Sequence, residues 1–520
     1  MKTHLVRLRK SIVVLLLVLV VVPALTAQQK TDCLVRITLL QLNDVYQFVP
    51  VDRGERGGIA RVLTLKKQVQ KESRHTLFLL AGDTISPSAE SITYKGSQMI
   101  DSWNAAGLDY ATFGNHEFDF GPDVLTERMQ QSHFKWIAAN VIDTRSGKPF
   151  GGAEAFVIRE FDGVKVGIFG LVLPETTATS RPGPNVEFLD PCQTAKKVVS
   201  DIHELGAKVV VALTHLSMRE DKEVARCADV DVVIGGHEHT LLESVAGRAP
   251  IFKMTADARE LGKIDLNVSK ATGKLDSIDW KVIPVTAAVK QDEQFLAATR
   301  KYAGLLSELS QPVGRTSVEL DARLAANRTR ETNIGDFIAD AFRNVTGADV
   351  ALINGGSIRA DSLISPGQLT TREILQILPF KNRVVKVQVN GDTLRQALEH
   401  GVARSAEDAE PGRFPQISGI RFTFDASRKP GSRITVVTVN GKPLQEKKLY
   451  TLATTTFVAL DGGDDYKMFK GAPLLLAPEQ GQIDSEILRK AIASVRSIAP
   501  HTDGRIKRLD QNRGQIVDCE

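Results

Sequence analysis

The sequence predicts an α/β protein with more than one domain. Three observations carry that reading. The chain has 520 residues, more than one ordinary hydrophobic core accommodates. Strand-like apolar runs alternate with helical stretches over most of its length, the pattern of sheets flanked by helices. Asp, Asn and His recur where those runs end, the place where functional side chains on such sheets collect. Hydrophobic content of 42% and charged content of 25% are those of a soluble globular protein.

The N-terminus stands apart. Lys2, Arg7, Arg9 and Lys10 precede an unbroken apolar run, residues 12–22, and then Pro23-Ala24-Leu25-Thr26-Ala27. These are the basic, apolar and small-residue regions of a secretory signal. Residues 1–27 are therefore expected to be removed and the mature protein to be secreted or periplasmic. Retention as an uncleaved anchor is the alternative, although the run is short for a bilayer span. The chain has 66 basic and 62 acidic residues. The leader holds four of the basic and none of the acidic, so the mature charge is balanced and gives no global attraction to nucleic acid or membrane. Cys33, Cys192, Cys227 and Cys519 permit disulfides in an oxidising compartment. Sequence proximity suggests Cys192 with Cys227, and the chain ends suggest Cys33 with Cys519. None lies in a CxxC, so no cysteine metal site is expected.

Taken in order, residues 35–42 read as a buried strand ending at Asn43-Asp44, and 59–72 as a helix after Gly57-Gly58. Residues 76–80 form the next strand, ending at Ala81-Gly82-Asp83, and 97–106 a helix. A strand at 110–113 runs into Gly114-Asn115-His116-Glu117-Phe118-Asp119. Further strands are expected near 136–139 and 165–170, then a helix at 193–205. A strand at 208–213 ends at Thr214-His215, and one at 230–234 ends at Gly235-Gly236-His237-Glu238-His239. Short strands between 264 and 285 close this unit, and 292–309 reads as a connecting helix. A second α/β unit follows. Helix 333–345 places Ile334, Phe337, Ile338, Ala341 and Phe342 close to a 3.6 period. Strand 350–353 leads to Asn354-Gly355-Gly356, helices follow at 371–378 and 391–402, and alternating strands at 420–424 and 434–439. Gly462-Gly463-Asp464 is a tight turn. The polar tail after Arg508 is expected to fray.

Five strand-end motifs line up: Asp44, Asp83, Asn115-His116, His215, and His237 with His239. Four of the nine histidines beyond the leader lie in them. Any one alone is most simply a polar turn or a satisfied loop histidine. The ordered set is the ligand set of a dinuclear metal centre. Two cations ~3.5–4 Å apart need a carboxylate between them to offset their repulsion, and Asp83 is the natural bridge. In the Gly114 loop, Asn115 offers a neutral oxygen, His116 can be a ligand or an acid, and Asp119 lies near enough to orient it.

With these motifs the chain resembles the calcineurin-like metallophosphoesterases and, more narrowly, a secreted two-domain 5′-nucleotidase, from about residue 35 to 506. The resemblance implies an N-terminal four-layer β-sandwich flanked by helices over 33–285, a linker helix over 286–311, and a C-terminal α/β substrate-binding domain over 312–508. It implies two divalent metal ions, zinc, manganese or similar. Asp83 would bridge them, Asn115, His215 and His237 would complete one site, and Asp44 and His239 would serve the other. His116, backed by Asp119, would face the reacting phosphate as acid or charge stabiliser.

One position departs from the family pattern of Asp-x-His: here the first motif is Asp44-Val45-Tyr46. The i, i+2 spacing still aims Tyr46 at the site. Three readings stand. Tyr46 ligates as a phenolate, which favours ferric iron and requires the metal to remove a proton of pKa ~10. Or it lines the cleft while water fills the place, leaving Asp44, Asp83 and His239 as the protein ligands. Or the first site is weak and the enzyme slow. The water-filled arrangement is preferred.

The second unit fits the same resemblance. Arg328 precedes Glu331-Thr332-Asn333-Ile334-Gly335-Asp336, where the family has a substrate-binding arginine, and Asn354-Gly355-Gly356-Ser357-Ile358-Arg359 matches its Asn-Gly-Gly-x-Ile-Arg motif. Phe380 and Phe457 correspond to two aromatics that sandwich the base, and Asp464 to the carboxylate that binds ribose. Without the resemblance, the aromatics would read as core residues and Arg359 as a surface charge. The loop before Gly462 is one residue longer than the commonest family form. The implied activity is hydrolysis of phosphate esters of extracytoplasmic nucleotides by in-line attack of a metal-bound hydroxide, with a small-molecule substrate and no nucleic-acid polymer. Rivals on the same frame are a 2′,3′-cyclic-nucleotide phosphodiesterase, a nucleotide-sugar hydrolase and a thiosulfohydrolase. A rival of another class is a non-catalytic extracellular nucleotide binder decayed at Tyr46, against which the seven other metal and catalytic positions stand intact. Asn267-Val268-Ser269, Asn327-Arg328-Thr329 and Asn344-Val345-Thr346 are sequons only if the host glycosylates.

Overall fold

The structure, a computed structural model, describes residues 33–405 and 411–510. The leader, the last ten residues and hence Cys519 lie outside the described residues, so the pairing of Cys519 with Cys33 does too.

The first unit is built on two six-stranded sheets. One has the order Leu275–Pro284, Glu260–Ser269, β1 (Leu34–Leu42), β2 (Thr76–Ala81), β3 (Tyr110–Thr112) and β4 (Lys135–Trp136). The other runs Leu242–Ala246, Ala249–Lys253, Val232–Gly235, Val209–His215, Val164–Val172 and Phe156–Phe161. β1 to β4 are mutually parallel, as are the four central strands of the second sheet. Parallel sheets bury both faces, so their strands read as continuous apolar runs. Alternation divides β1 accordingly. Ile37 and Leu39 enter the core shared with Val166, Ile168, Val211 and Ile234 of the other sheet. Leu40 and Leu42 face helix α1 (Ile59–Glu72) through Val62 and Leu63. The result is four layers, helix, sheet, sheet, helix.

Gln41, on the inter-sheet face, donates from Nε2 to Gly235 O at 3.1 Å and Phe252 O at 2.7 Å, tying the two sheets at the end where the motifs emerge. Gly170 marks a second close approach. A methyl group there would lie 2.0 Å from Ile137 O, and its own carbonyl accepts from Ala139 N.

Three elements differ from expectation. The short strands expected at 264–285 are two ten-residue antiparallel strands, Glu260–Ser269 and Leu275–Pro284. The outer one is an edge strand on which Ile278, Trp280 and Val282 alternate with Asp279 and Lys281, half-buried rather than fully buried. The expected helix 292–309 is broken into Glu293–Thr299 and Ala303–Leu309 by a 3-10 turn, Arg300–Tyr302. There Tyr302 leaves the helical path to pack against Phe48 and Tyr94. The strand near 136–139 stops at Trp136, and Ile137 continues only as a bridge to Glu154.

The second unit has a five-stranded sheet ordered Pro415–Ser418, Val350–Asn354, Leu449–Thr455, Val384–Asn390 and Leu474–Leu476. Helix Asn333–Thr346 covers one face. Thr332 Oγ caps it by accepting from Gly335 N at 3.1 Å, and Gly347 closes it in the left-handed conformation. Helix Gly391–Gly401 packs on the other face through Leu394, Ala397 and Leu398. Asn327, the middle sequon, is fully buried and donates to Asp321 O and Arg323 O, which removes it as an acceptor. Cys192 and Cys227 form a disulfide, joining helices Pro191–Glu204 and Met218–Cys227. Among the described residues no helix is long and apolar enough to cross a membrane.

The units meet through polar contacts. Arg372 donates to Glu90 Oε1 at 2.7 Å, Gln376 to Gln47 at 2.8 Å, Arg181 to Asp461 at 3.1 Å, and Arg404 to both oxygens of Glu175 at 3.0 and 3.1 Å.

Gly170→Ala should destabilise the protein by about 1–3 kcal/mol, because the methyl group meets a backbone carbonyl that only a strand shift can move. A urea midpoint equal to wild type would show that the sheets are not held this closely.

Candidate metal and substrate site

β1 and β2 are adjacent and in register at Leu42 and Leu80, so the residues after them share one rim. Asp44 and Asp83 follow, both in the left-handed conformation with φ of 53° and 56°, a region Asp tolerates better than bulky residues. Asp44 N donates to Gly82 O at 3.0 Å, locking one turn to the other. Glu117 gathers the third loop. Its carboxylate accepts from the backbone N–H of Asp83 at 2.9 Å, Thr84 at 2.7 Å, Ile85 at 3.2 Å and also Gly114. Burial pushes Glu117 up to about 7 against those donors, which favour its ionised form. Gly114 is required by contact: a Cβ there would sit 2.1 Å from Asp83 Oδ1. In the space so kept, Asp83 Oδ1 accepts from His116 N at 2.8 Å.

The second sheet brings the histidines. His215, at the end of Val209–His215, donates from Nδ1 to Ala81 O, 2.9 Å away, and its Nε2 lies 3.4 Å from Asp83 Oδ2. His237 N donates to Asp44 Oδ2 at 2.9 Å, and its ring meets that of His215 edge-on at 5.3 Å. His239 Nε2 is 3.2 Å from Asp44 Oδ1. One oxygen each of Asp44 and Asp83 and one nitrogen of His215 fall within 4.8 Å of one another. Asn115 Oδ1 and His215 Nε2 are buried with no hydrogen-bond partner, a state a protein interior rarely leaves unexplained. Two carboxylates, a carboxamide oxygen and imidazole nitrogens form a donor set suited to first-row divalent cations, so these residues fit the metals that the sequence implies.

Electrostatics agree. Burial raises Asp83, but His215 and His116 outweigh it and hold the carboxyl well below the usual range. Burial opposes charge on His215, yet Asp83 and Asp44 raise it to about 10, and His239 rises to about 9 against burial, chiefly through Asp44. Burial and the positive charge of His215 lower His237 well below its ordinary value. The carboxylates thus hold positive charge beside them. Bound cations would satisfy the same carboxylates and release those protons.

Tyr46 faces the site as its spacing predicts. Its Oη lies 3.2 Å from Asp44 Oδ1, 3.1 Å from Asp83 Oδ2 and 3.0 Å from His239 Nε2, and accepts from Arg359 Nη2 at 3.1 Å. Burial and the two carboxylates raise its pKa well above the ordinary value.

His116 Nδ1 is 2.8 Å from Asp119 Oδ2, and Asp119 Oδ1 accepts from Ser180 Oγ at 2.7 Å. The Phe380 ring stacks on His116 at 5.8 Å. Asp83, Asn115, His116, His237 and His239 line a cavity of ≈ 1100 Å³, together with Arg328, Asn354, Arg359, Phe380, Phe457 and Asp464 from the second unit. Asn354 donates to Asp464 Oδ2 at 2.6 Å. Asp44, Tyr46 and His215 do not line the cavity and are buried.

Six residues escaped the sequence reading: Glu117 as a backbone clamp, Glu175 with Arg404 and Arg413 across the units, Asp361, and Lys253. Lys253 is fully buried. Its Nζ reaches Asp221 Oδ2 at 2.7 Å, Leu216 O at 2.7 Å, Gly236 O at 2.9 Å, and Glu238, so it pins the loop that presents His237 and His239. A lysine inside the apolar run Ile251-Phe252-Lys253-Met254 was the signal available.

The calcineurin-like phosphoesterase family matches residues 37–241, and the 5′-nucleotidase C-terminal domain family matches residues 312–471. A snake venom 5′-nucleotidase from Crotalus adamanteus is 30% identical, covering 90% of this chain and 88% of its own. The trifunctional nucleotide phosphoesterase protein YfkN of Bacillus subtilis (strain 168) is also 30% identical over 92% of this chain, which spans 35% of that protein. The crystal structure of a 5′-nucleotidase precursor from Thermus thermophilus superposes with a TM-score of 0.84 at 30% identity, covering 91% of this chain and 99% of the other. The strand-end motifs, the two units and these relatives agree: the chain belongs to the 5′-nucleotidases of the calcineurin-like phosphoesterase superfamily.

Proposed function

We propose that the protein hydrolyses the phosphate ester of nucleotides outside the cytoplasm, with two divalent cations held by the first unit and the nucleoside held by the second. The carrying observation is convergence. Groups suited to metal and phosphate chemistry and groups suited to a nucleoside line one cavity, although they come from different units.

When bound, the cations supply a nucleophile at neutral pH and charge on the phosphoryl oxygens. Asp83 would be shared by the two sites, Asn115, His215 and His237 would complete one, and Asp44 and His239 would serve the other. Tyr46, whose pKa burial and its carboxylate neighbours raise, would act here as a hydrogen-bond donor rather than a phenolate ligand. His116 presents Nε2 to the phosphate because Asp119 holds Nδ1. It can therefore donate a proton or a hydrogen bond where charge develops. Arg328 and Arg359 suit the phosphate, since a guanidinium fork donates two hydrogen bonds. Phe380 and Phe457 offer faces for the base, a mode of contact that accepts different bases. Asp464, held by Asn354, accepts from ribose hydroxyls. The secretory leader places this chemistry beyond the cytoplasmic membrane, with the 33–285 unit as metal domain, 286–311 as linker and 312–508 as substrate domain.

Phosphate release from AMP, measured alongside metal content, tests the reading. Two ions per chain and turnover lost on chelation and restored by divalent metal are expected. Two ions without turnover of AMP would move the substrate elsewhere on the same frame, and no metal at all would leave a binder.

His116→Ala should lower kcat by about 10²–10³-fold with little change in KM. Phe380→Ala should instead raise KM by about tenfold or more, from loss of stacking worth ~1–3 kcal/mol. Equal effects of both substitutions on KM alone would remove His116 from the chemistry.

The purified protein should be colourless at high concentration. A strong visible absorption band lost in Tyr46→Phe would show phenolate ligation to ferric iron and overturn the protonated role of Tyr46.

A further inference from the structure

Three histidines at the site have their Nδ1 atoms engaged, and the partners differ in origin. His215 uses Ala81 O at 2.9 Å and His116 uses Asp119 Oδ2 at 2.8 Å, both within the first unit. His239 uses Asp361 Oδ2 at 3.2 Å, a carboxylate from the second unit. The His239 side chain is 6% exposed, so its ring nitrogen has little water to turn to. Asp361 is itself held, since Oδ1 accepts from Leu324 N at 3.0 Å. Two residues earlier, Arg359 donates to Tyr46 Oη. One short segment of the second unit therefore touches two groups clustered around Asp44.

We propose that Asp361 is a positioning residue for the first metal site: it takes the Nδ1 proton of His239 in a hydrogen bond and so aims Nε2 at the ion beside Asp44. This rests on the metal-binding reading above. A carboxylate behind a ligating imidazole fixes its tautomer and ring orientation and raises its basicity, and its loss typically costs 10–100-fold in metal affinity. The unit of origin adds a consequence. The first site is complete only when the two units are together. An ion there favours that arrangement, and by reciprocity the arrangement favours the ion. The other site carries no such dependence, because His215 is oriented by its own unit and Asn115 and His237 belong to it as well.

The test is zinc or manganese binding to the full chain, by calorimetry and by metal content after dialysis against graded free metal, for wild type, Asp361→Asn and Asp361→Ala. Thermal midpoints of the metal-stripped proteins are measured in parallel. The expected result is that wild type binds two ions. Both variants should then keep one at wild-type affinity and bind the other about 10–100-fold more weakly, with metal-stripped midpoints near wild type. If the alanine variant fails to fold, the nearly isosteric asparagine variant decides. Two ions bound by the asparagine variant at wild-type affinity would overturn the positioning role while leaving the metal centre standing. Equal weakening of both ions would also overturn it, as general damage. Fewer than two ions on wild type would overturn this proposal together with the dinuclear reading beneath it.

Discussion

Two carboxylates buried side by side govern this structure. Asp44 is fully buried and Asp83 is 1% exposed, each two residues past the end of one of two adjacent parallel strands. Ionised carboxylates out of water and close together are costly unless positive charge or hydrogen-bond donors meet them. The neighbourhood supplies both. His215 and His239 are held in their charged forms, and the backbone N–H groups of His116 and His237 point at the carboxylates. The positions of the surrounding loops follow from this requirement. Glu117 clamps the loops after β2 and β3 so that Asp83 and His116 meet, and Gly114 leaves the space in which they do. A cluster of this kind is poor as a stability device and good as a cation site, because what it lacks is compact positive charge.

The same logic recurs one layer back. The loop bearing His237 and His239 must be held without using its histidines, and Lys253 does that with two carboxylates and two backbone carbonyls. Burying an ammonium is favourable only when all its donors are used, and here they are. Truncating Lys253 would strand Asp221 and Glu238, a loss on the order of 3–5 kcal/mol typical of breaking a buried pair by removing one partner. The histidine loop is thereby fastened to the sheet beneath it, as a centre of preorganised ligands requires.

What was legible in the sequence was whatever a local pattern records. The apolar runs gave the parallel strands, and strand ends gave Asp44, Asp83, Asn115, His215, His237 and His239 in one place. Helix Asn333–Thr346 was legible from its 3.6 period, and the structure adds its Thr332 cap and closing Gly347. The misses are physical. Strand Leu275–Pro284 is a half-buried edge whose alternation, Ile278, Trp280 and Val282, spans only half of its ten residues, so its full length had no local mark. The 292–309 helix breaks because Tyr302 is drawn to Phe48 and Tyr94, a tertiary contact that local propensity cannot see. Glu117 had no assigned role in its motif and is a backbone clamp, which only the fold of the loops reveals. Asp361 and Glu175 had no motif at all, since their partners lie far away in sequence and in the other unit.

That last class of residue shows how the two units are meant to work together. Their contacts include ion pairs, side-chain hydrogen bonds and the Phe380 ring stacked on His116, a largely polar set of the kind that permits relative motion. Partly exposed pairs such as Arg181 with Asp461 are worth only about 0–1 kcal/mol each. Arg372 with Glu90 is different, because Glu90 is 1% exposed and would have to be rehydrated if the pair separated. A substrate that touches both units adds its own contacts to this weak set. On the proposed function its phosphate would lie toward cations of the first unit, and its base and ribose toward Phe380, Phe457 and Asp464. A balanced polar interface therefore lets binding energy from the nucleoside end, remote from the bond that breaks, hold the units together around it.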